Sequence, residues 1–309
     1  MSVIEQAAKR LEELRRAGID IPGDAGQNSI RSRPQNSNGA TVFPSTSHVE
    51  AAMAAVSATE FPEARSSVSA SVELDLVMLA KLGFVTPDIP RSRIADEFRI
   101  VKRPLIANAS GKGMVPIKNG NLIMVTSAVP GEGKTFSAIN LAMSIAMELD
   151  QTVLLVDADV ARPSLPRVLG LPSGKGLLDA LHDKSFDLDQ SLIRTNVERL
   201  SILTSGTQHA RATELLASDA MDRLLDEMAT RYPNRIVVFD SPPLLVTTES
   251  RVLATHMGQI VFVVQAEATL QGDVKRALAT IKACPVKLIL LNQARTVAQG
   301  AYGYGYGYS

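Results

Sequence analysis

One stretch of this 309-residue chain limits its possible folds more than any other. Leu122-Ile-Met-Val125 is an uninterrupted apolar run with the length and residue type of a buried strand. It leads directly into Ser127-Ala-Val-Pro-Gly131-Glu-Gly133-Lys134-Thr135, and an amphipathic helix is expected from there through Leu149. Glycines in such a loop let successive backbone N–H groups turn inward around a phosphate, and the helix N-terminus adds partial positive charge. Lys134 is placed to reach β- and γ-phosphates and the Thr135 hydroxyl to bind Mg²⁺. The nucleotide-binding segment is thus Ala128, Val129, Pro130, Gly131, Glu132, Gly133, Lys134, Thr135 and Phe136. The G-x-x-x-x-G-K-[ST] pattern wants glycine where Ala128 stands, and alanine serves there provided that its φ stays negative.

From Asn121 onward, short apolar runs alternate with amphipathic segments, the pattern of a parallel sheet with crossover helices. Strands are expected near 122–126, 153–157, 200–203, 236–240, 259–265 and 286–291, and helices near 134–149, 212–231, 247–256 and 269–283. The fold class is therefore α/β, a P-loop NTPase-type doubly wound, mostly parallel sheet flanked by helices. Ligand chemistry in such sheets lies off the carboxyl ends of the strands. Two further strands end there in carboxylates: Val153-Leu-Leu-Val156 runs into Asp157-Ala-Asp159, and Ile236-Val-Val-Phe239 runs into Asp240-Ser-Pro-Pro243. Asp159 and Asp240, with Thr135, are assigned to the metal, and Asp240 reads as the Walker-B aspartate. Asp157 is assigned to take a proton, although spacing alone leaves the division among the three aspartates open.

The remainder of the chain is organised around that domain, placed at 111–298. Ser2-Val-Ile-Glu5 is a capping box that starts an amphipathic helix over 1–17, with Val3, Ile4, Ala7, Leu11 and Leu14 at helical spacing. A Gly-, Pro-, Ser- and Asn-rich linker is expected over 18–67. A helical lead-in over 68–110 holds a charged helix that begins near Ser92 and runs up to Pro104. Four of the five tyrosines, Tyr302, Tyr304, Tyr306 and Tyr308, alternate with glycine in the tail 299–309. Gly-Tyr repeats cannot form a core, so the tail reads as sticky low complexity, a docking tag or a set of phosphate acceptors. An ATP site on the same chain favours the last.

Composition excludes several other classes. Lys+Arg and Asp+Glu both total 32, so no net field draws in nucleic acid, and the sequence carries no basic patch with interleaved aromatics. The single cysteine, Cys284, rules out a disulfide framework or a cysteine metal cage. No apolar run has the length of a membrane helix, and a soluble, cytoplasmic chain is expected. The four histidines, His48, His182, His209 and His256, show no ligand spacing.

Taken together, Pro130-Gly-Glu-Gly-Lys-Thr135, Asp157-Ala-Asp159 with Arg162-Pro163, Asp240-Ser-Pro-Pro243 and the terminal tyrosines resemble the bacterial tyrosine autokinases of polysaccharide synthesis and export, the BY-kinases. The likeness covers about 92–309, with support from Gly176-Leu-Leu-Asp-Ala-Leu181 and Glu214-Leu-Leu-Ala-Ser218, and is greatest to the exosortase-associated subgroup. It implies an ATP- and Mg²⁺-dependent kinase that phosphorylates its own tyrosine cluster in trans, with Lys134, Asp157, Asp159 and Asp240 catalytic. Asp96, Arg99 and Lys102 look like a conservative version of the family's E-x-x-R-x-x-R helix motif, which implies self-assembly into a ring. The resemblance also implies a membrane activator of the chain-length-regulator type, recruitment to the inner face of the cell membrane by that partner, a cognate tyrosine phosphatase, and adenine contact by Asn292. A turn-forming role for Asn292 is the local alternative. Where the family has arginine four positions after its first aspartate, this chain has Ala161. A partitioning-type P-loop ATPase is the nearest rival, but the lysine that marks that class would fall at Val129. A non-catalytic, nucleotide-dependent scaffold is the other alternative.

Overall fold

A computed structural model describes residues 70–294, apart from 114, 184 and 233. The helix expected over 1–17, the linker 18–67 and the tail with its four tyrosines lie outside the described residues. In chain order the elements are β1 (Ser71–Val72), α1 (Leu76–Lys81), α2 (Arg93–Ala109), β2 (Leu122–Ser127), α3 (Lys134–Ala146) and β3 (Thr152–Asp157). Next come α4 (Leu165–Leu169), α5 (Leu177–His182), a 3₁₀ turn (Leu188–Ser191), β4 (Ile193–Thr195) and β5 (Leu200–Leu203). The remaining elements are α6 (Ala212–Leu216), α7 (Asp219–Thr230), β6 (Arg235–Asp240), α8 (Glu249–His256), β7 (Gln259–Gln265), α9 (Gln271–Thr280) and β8 (Val286–Asn292).

The strands form one sheet in the order β1-β4-β5-β3-β6-β2-β7-β8. All neighbours are parallel except β4 and β5, so the fold is the doubly wound α/β sheet read from the sequence. Its core lies in two layers because side chains alternate across a strand. Ile123 and Val125 of β2 face one layer with Leu105, Ile139 and Leu141; Leu122 and Met124 face the other with Leu177, Leu225 and Leu253. The β2 strand sits between β6 and β7; the chain leaves β2 for β3 toward one edge of the sheet, whereas the connection from β6 crosses to β7 on the other side of β2, so the winding reverses at β2, the place where such sheets bind ligands beyond the carboxyl ends of their strands.

Several local readings change. The run after Lys134, expected to be amphipathic through Leu149, is a helix ending at Ala146 that is buried on every side from Ser137 to Ala146. No charge occurs between Lys134 and Glu148, and α2 covers the side that would otherwise meet water. The α2 helix does not stop before Pro104 but passes through it to Ala109. Pro104 lies on the solvent side, as does Ile100, whose carbonyl loses its N–H partner to the proline ring. The single helix expected near 212–231 breaks at Ala217–Ser218, where the Ser218 hydroxyl donates to the Leu215 carbonyl. The lead-in carries β1 and buries Leu74, Leu79, Phe84, Phe98 and Leu105 in the same core layer as the sheet.

Candidate active site

The loop after β2 is built by two left-handed glycines, Gly131 at φ 88° and Gly133 at φ 90°, the second being the N-cap of α3. Gly133 has a further constraint: a Cβ there would lie 2.0 Å from Asn292 Nδ2. Ala128 is buried and does not have positive φ, so alanine in place of the consensus glycine introduces no backbone strain. The loop is also held by its own side chain. The Glu132 carboxylate, 1% exposed, accepts from the Val129 N–H at 2.8 Å and from the Thr269 hydroxyl. The Glu132 carbonyl accepts from Asn292 Nδ2 at 2.9 Å. Asn292 thus joins the carboxyl end of β8 to the phosphate-binding loop. Beside it, a groove of ≈ 540 Å³ runs between Phe136, Asn292, Gln293 and the first turns of α2 at Arg93 and Glu97.

On the other side of the loop, Asp157 and Asp240 are register partners at the ends of β3 and β6. The Thr135 hydroxyl donates to Asp240 Oδ2 at 2.7 Å and lies 2.9 Å from the Ser164 hydroxyl. Asp157 Oδ2 accepts two backbone N–H groups, from Ser164 at 3.1 Å and Leu165 at 3.0 Å. Lys134 Nζ lies 3.7 Å from Asp159 Oδ2, and Asp159 Oδ1 accepts from the Arg162 N–H at 3.2 Å.

Burial, and next the neighbouring Asp240 carboxylate, push the Asp157 carboxyl up to about 7. Burial raises Asp240 to about 6, against the Thr135 hydroxyl that stabilises its anion. Burial also raises Asp159, with the Lys134 ammonium opposing it. Asp157 Oδ1 and Asp240 Oδ1 are buried without a hydrogen-bond partner. Orphaned buried carboxylate oxygens are costly unless something else satisfies them. No group of three acidic, imidazole or thiol side chains among the described residues forms a ready metal cage. An all-oxygen, incomplete set fits Mg²⁺, which keeps waters and takes the rest of its shell from nucleotide phosphates.

The structure therefore brings Lys134, Thr135, Asp157, Asp159 and Asp240 together and sets Phe136 and Asn292 along one flank. Asp96 and Arg99 pair with each other on the exposed side of α2, and Arg99 also donates to the Pro90 carbonyl at 3.0 Å. Lys102 does not join them: it is 4% exposed, donates to the Ser144 carbonyl and pairs with Glu148 at 2.6 Å. The expected surface role for Lys102 is corrected to an internal clamp between α2 and the end of α3. Sequence reasoning missed Ser164, whose position before Leu-Pro at a helix start is a capping signal, and Thr269, for which no local signal exists.

Comparison with known proteins follows the same lines. A family described as AAA domain matches residues 120–292. Tyrosine-protein kinase YwqD of Bacillus subtilis (strain 168) is 30% identical over 217 residues, spanning 70% of this chain and 87% of that protein. The crystal structure of the chimerical protein CapA2B2 aligns with a TM-score of 0.55 at 27% identity, covering 69% of this chain and 97% of that one. The VpsO kinase domain aligns with a TM-score of 0.53 at 26% identity, covering 66% and 100%.

Proposed function

The chain belongs to the bacterial tyrosine-protein kinase family, built on the AAA-domain P-loop fold, and from that premise we propose that it transfers the γ-phosphoryl group of ATP to Tyr302, Tyr304, Tyr306 and Tyr308 of its own tail. The observation that carries this reading is the pair of orphaned buried oxygens on Asp157 and Asp240, paired strand ends of which Asp240 is hydrogen-bonded to Thr135 of a loop built for phosphate. Loop and first-turn N–H groups with Lys134 hold the phosphates. Thr135, Asp159 and Asp240 would hold Mg²⁺, which supplies charge neutralisation at the phosphate oxygens when bound. Asp157 takes the phenolic proton as the tyrosine oxygen bonds to the γ-phosphorus and the bond to the β–γ bridging oxygen breaks, releasing ADP. A carboxyl near 7 suits that task at neutral pH, where an ordinary aspartate is a weaker base. Asn292 and the groove beside Phe136 take the adenine.

The wider arrangement is part of the same proposal. The amphipathic helix over 1–17 and linker 18–67 precede a lead-in over 68–110, a kinase domain over 111–298 and an acceptor tail over 299–309. Asp96 and Arg99 serve self-association, and each tail is served by a neighbour's site. A membrane protein of the chain-length-regulator type recruits and activates the kinase at the inner face of the cell membrane, a tyrosine phosphatase resets it, and the cycle regulates exopolysaccharide synthesis and export. Among the described residues no helix is long and apolar enough to cross a membrane. Intact mass after incubation with Mg²⁺ and ATP tests the core claim. Steps of about 80 Da, each one phosphoryl group, are expected in the native chain and absent in Lys134→Met and in a chain truncated before Tyr302. ATP turnover without phosphotyrosine, even with a membrane activator present, would leave a nucleotide-dependent scaffold.

A further inference from the structure

We propose that Ser164 is a positioning residue whose hydroxyl fixes the Thr135 oxygen for its cation; this rests on the reading above, in which Thr135 holds Mg²⁺. Its place in the chain gives Ser164 a different task. It is the N-cap of α4, where a serine hydroxyl ordinarily accepts from an N–H of the first helical turn. Here it makes no such bond. Pro166, second in the helix, has no N–H to offer, and the Leu165 N–H is given to Asp157 Oδ2. The hydroxyl is thereby released from capping, and its contacts are Thr135 and Asp240.

Counting protons assigns the direction of each bond. Thr135 has one hydroxyl proton and two lone pairs, and the proton goes to Asp240 Oδ2 at 2.7 Å. In the 2.9 Å contact between the two hydroxyls Ser164 is therefore the donor, and it fills one Thr135 lone pair. Asp240 Oδ2 is the more distant acceptor for Ser164, at 3.4 Å. Thr135 Oγ1 is thus tied from two sides, and one lone pair is left for a cation. Without the Ser164 hydroxyl the oxygen is tied to Asp240 alone and must be ordered as the metal binds, which weakens the metal bond. The backbone of Ser164 does separate work: its N–H donates to Asp157 Oδ2 at 3.1 Å. Each carboxylate is therefore engaged through Oδ2, and Oδ1 is the oxygen left bare on both. Ser164→Ala deletes the hydroxyl and keeps the N–H on Asp157, so it isolates the metal side.

Calorimetry on full chains separates positioning from a role in folding. ADP binding is titrated in EDTA and again with Mg²⁺, for the native chain, Ser164→Ala and Ser164→Thr. In EDTA all three are expected to bind ADP within twofold of one another. The affinity that Mg²⁺ adds is expected to fall roughly fivefold or more in Ser164→Ala and to return to within twofold of native in Ser164→Thr, which restores a hydroxyl. In a Thr135→Val background, Ser164→Ala should cost less than twofold more, because the ligand it positions is gone. A magnesium increment in Ser164→Ala within twofold of native overturns the proposal. So does an equal loss with and without Mg²⁺, or full additivity with Thr135→Val. None of these measurements needs phosphotyrosine: a native chain that gains affinity from Mg²⁺ but phosphorylates nothing refutes the kinase reading, and the same ratios still decide the role of Ser164. A native chain to which Mg²⁺ adds no affinity overturns the metal site and the role of Ser164 together.

Discussion

Replacing Asp157 by asparagine should stabilise the nucleotide-free protein at alkaline pH while abolishing phosphoryl transfer. The native carboxyl is held at about 7 against an ordinary 3.8, chiefly by burial and then by Asp240. Between those values the unfolded chain releases its proton and the folded chain keeps it, so ionisation erodes stability as pH rises. The neutral carboxyl contributes fully below 3.8, and its contribution is gone above about 7. At 1.36 kcal/mol per tenfold, that interval is worth at most about 4 kcal/mol, and relaxation and coupling with Asp240 bring the expected gain to about 2–3 kcal/mol. Asparagine retains an oxygen for the Ser164 and Leu165 N–H groups and carries no charge to ionise. Urea unfolding in EDTA, compared between native and Asp157→Asn from pH 4 to pH 8, measures this. The gain should be near zero at pH 4 and reach its full value by pH 8. A gain that does not vary with pH, or a loss at pH 8, would refute the argument that this carboxylate is strained by desolvation.

Other substitutions probe the frame around it. Lys102→Met removes the clamp on the Ser144 carbonyl and should cost about 1–3 kcal/mol of stability in thermal melts. Arg99→Ala, at an exposed pair, should change stability by less than about 0.5 kcal/mol, and any loss of self-association by light scattering would then be an interface effect. Gly133→Ala would drive a methyl into Asn292 at a left-handed position and should raise the KM for ATP by about tenfold or more. Thr135→Val keeps the shape but loses the hydroxyl on Asp240, and half-maximal activity should then need about ten to a hundred times more Mg²⁺.

The central sheet and the reactive cluster could be read directly from the sequence for one reason. A strand buried on both faces is written as an uninterrupted apolar run, so the residue that ends it, Thr135's loop or Asp157 or Asp240, stands out. Short edge pairings carry no such signature: β1 and β4 have two and three residues, and what creates them is a long-range partner. Pro104 reads locally as a stop, but only tertiary packing reveals that its missing N–H falls on the solvent side. Lys102 reads as exposed because it stands amid charged neighbours, and the partners that bury it, Ser144 and Glu148, lie more than forty residues away, Ser144 being 42 positions on. The same distance hides Thr269 from any reading of Glu132, 137 positions earlier.

Glu132 has one more consequence. Its carboxylate accepts from the Val129 amide, so the turn is cross-braced by its own side chain. Little backbone freedom is left to surrender when a triphosphate lands, and the visitor must outbid a resident negative charge for that amide. The expected outcome is weak binding of a lone monophosphate, which has only the loop to engage, and tighter binding of a polyphosphate, which engages the helix end as well. Calorimetry on Glu132→Gln should show this as orthophosphate binding that the native chain lacks, and equal silence in both would mean that the loop is held open by something else.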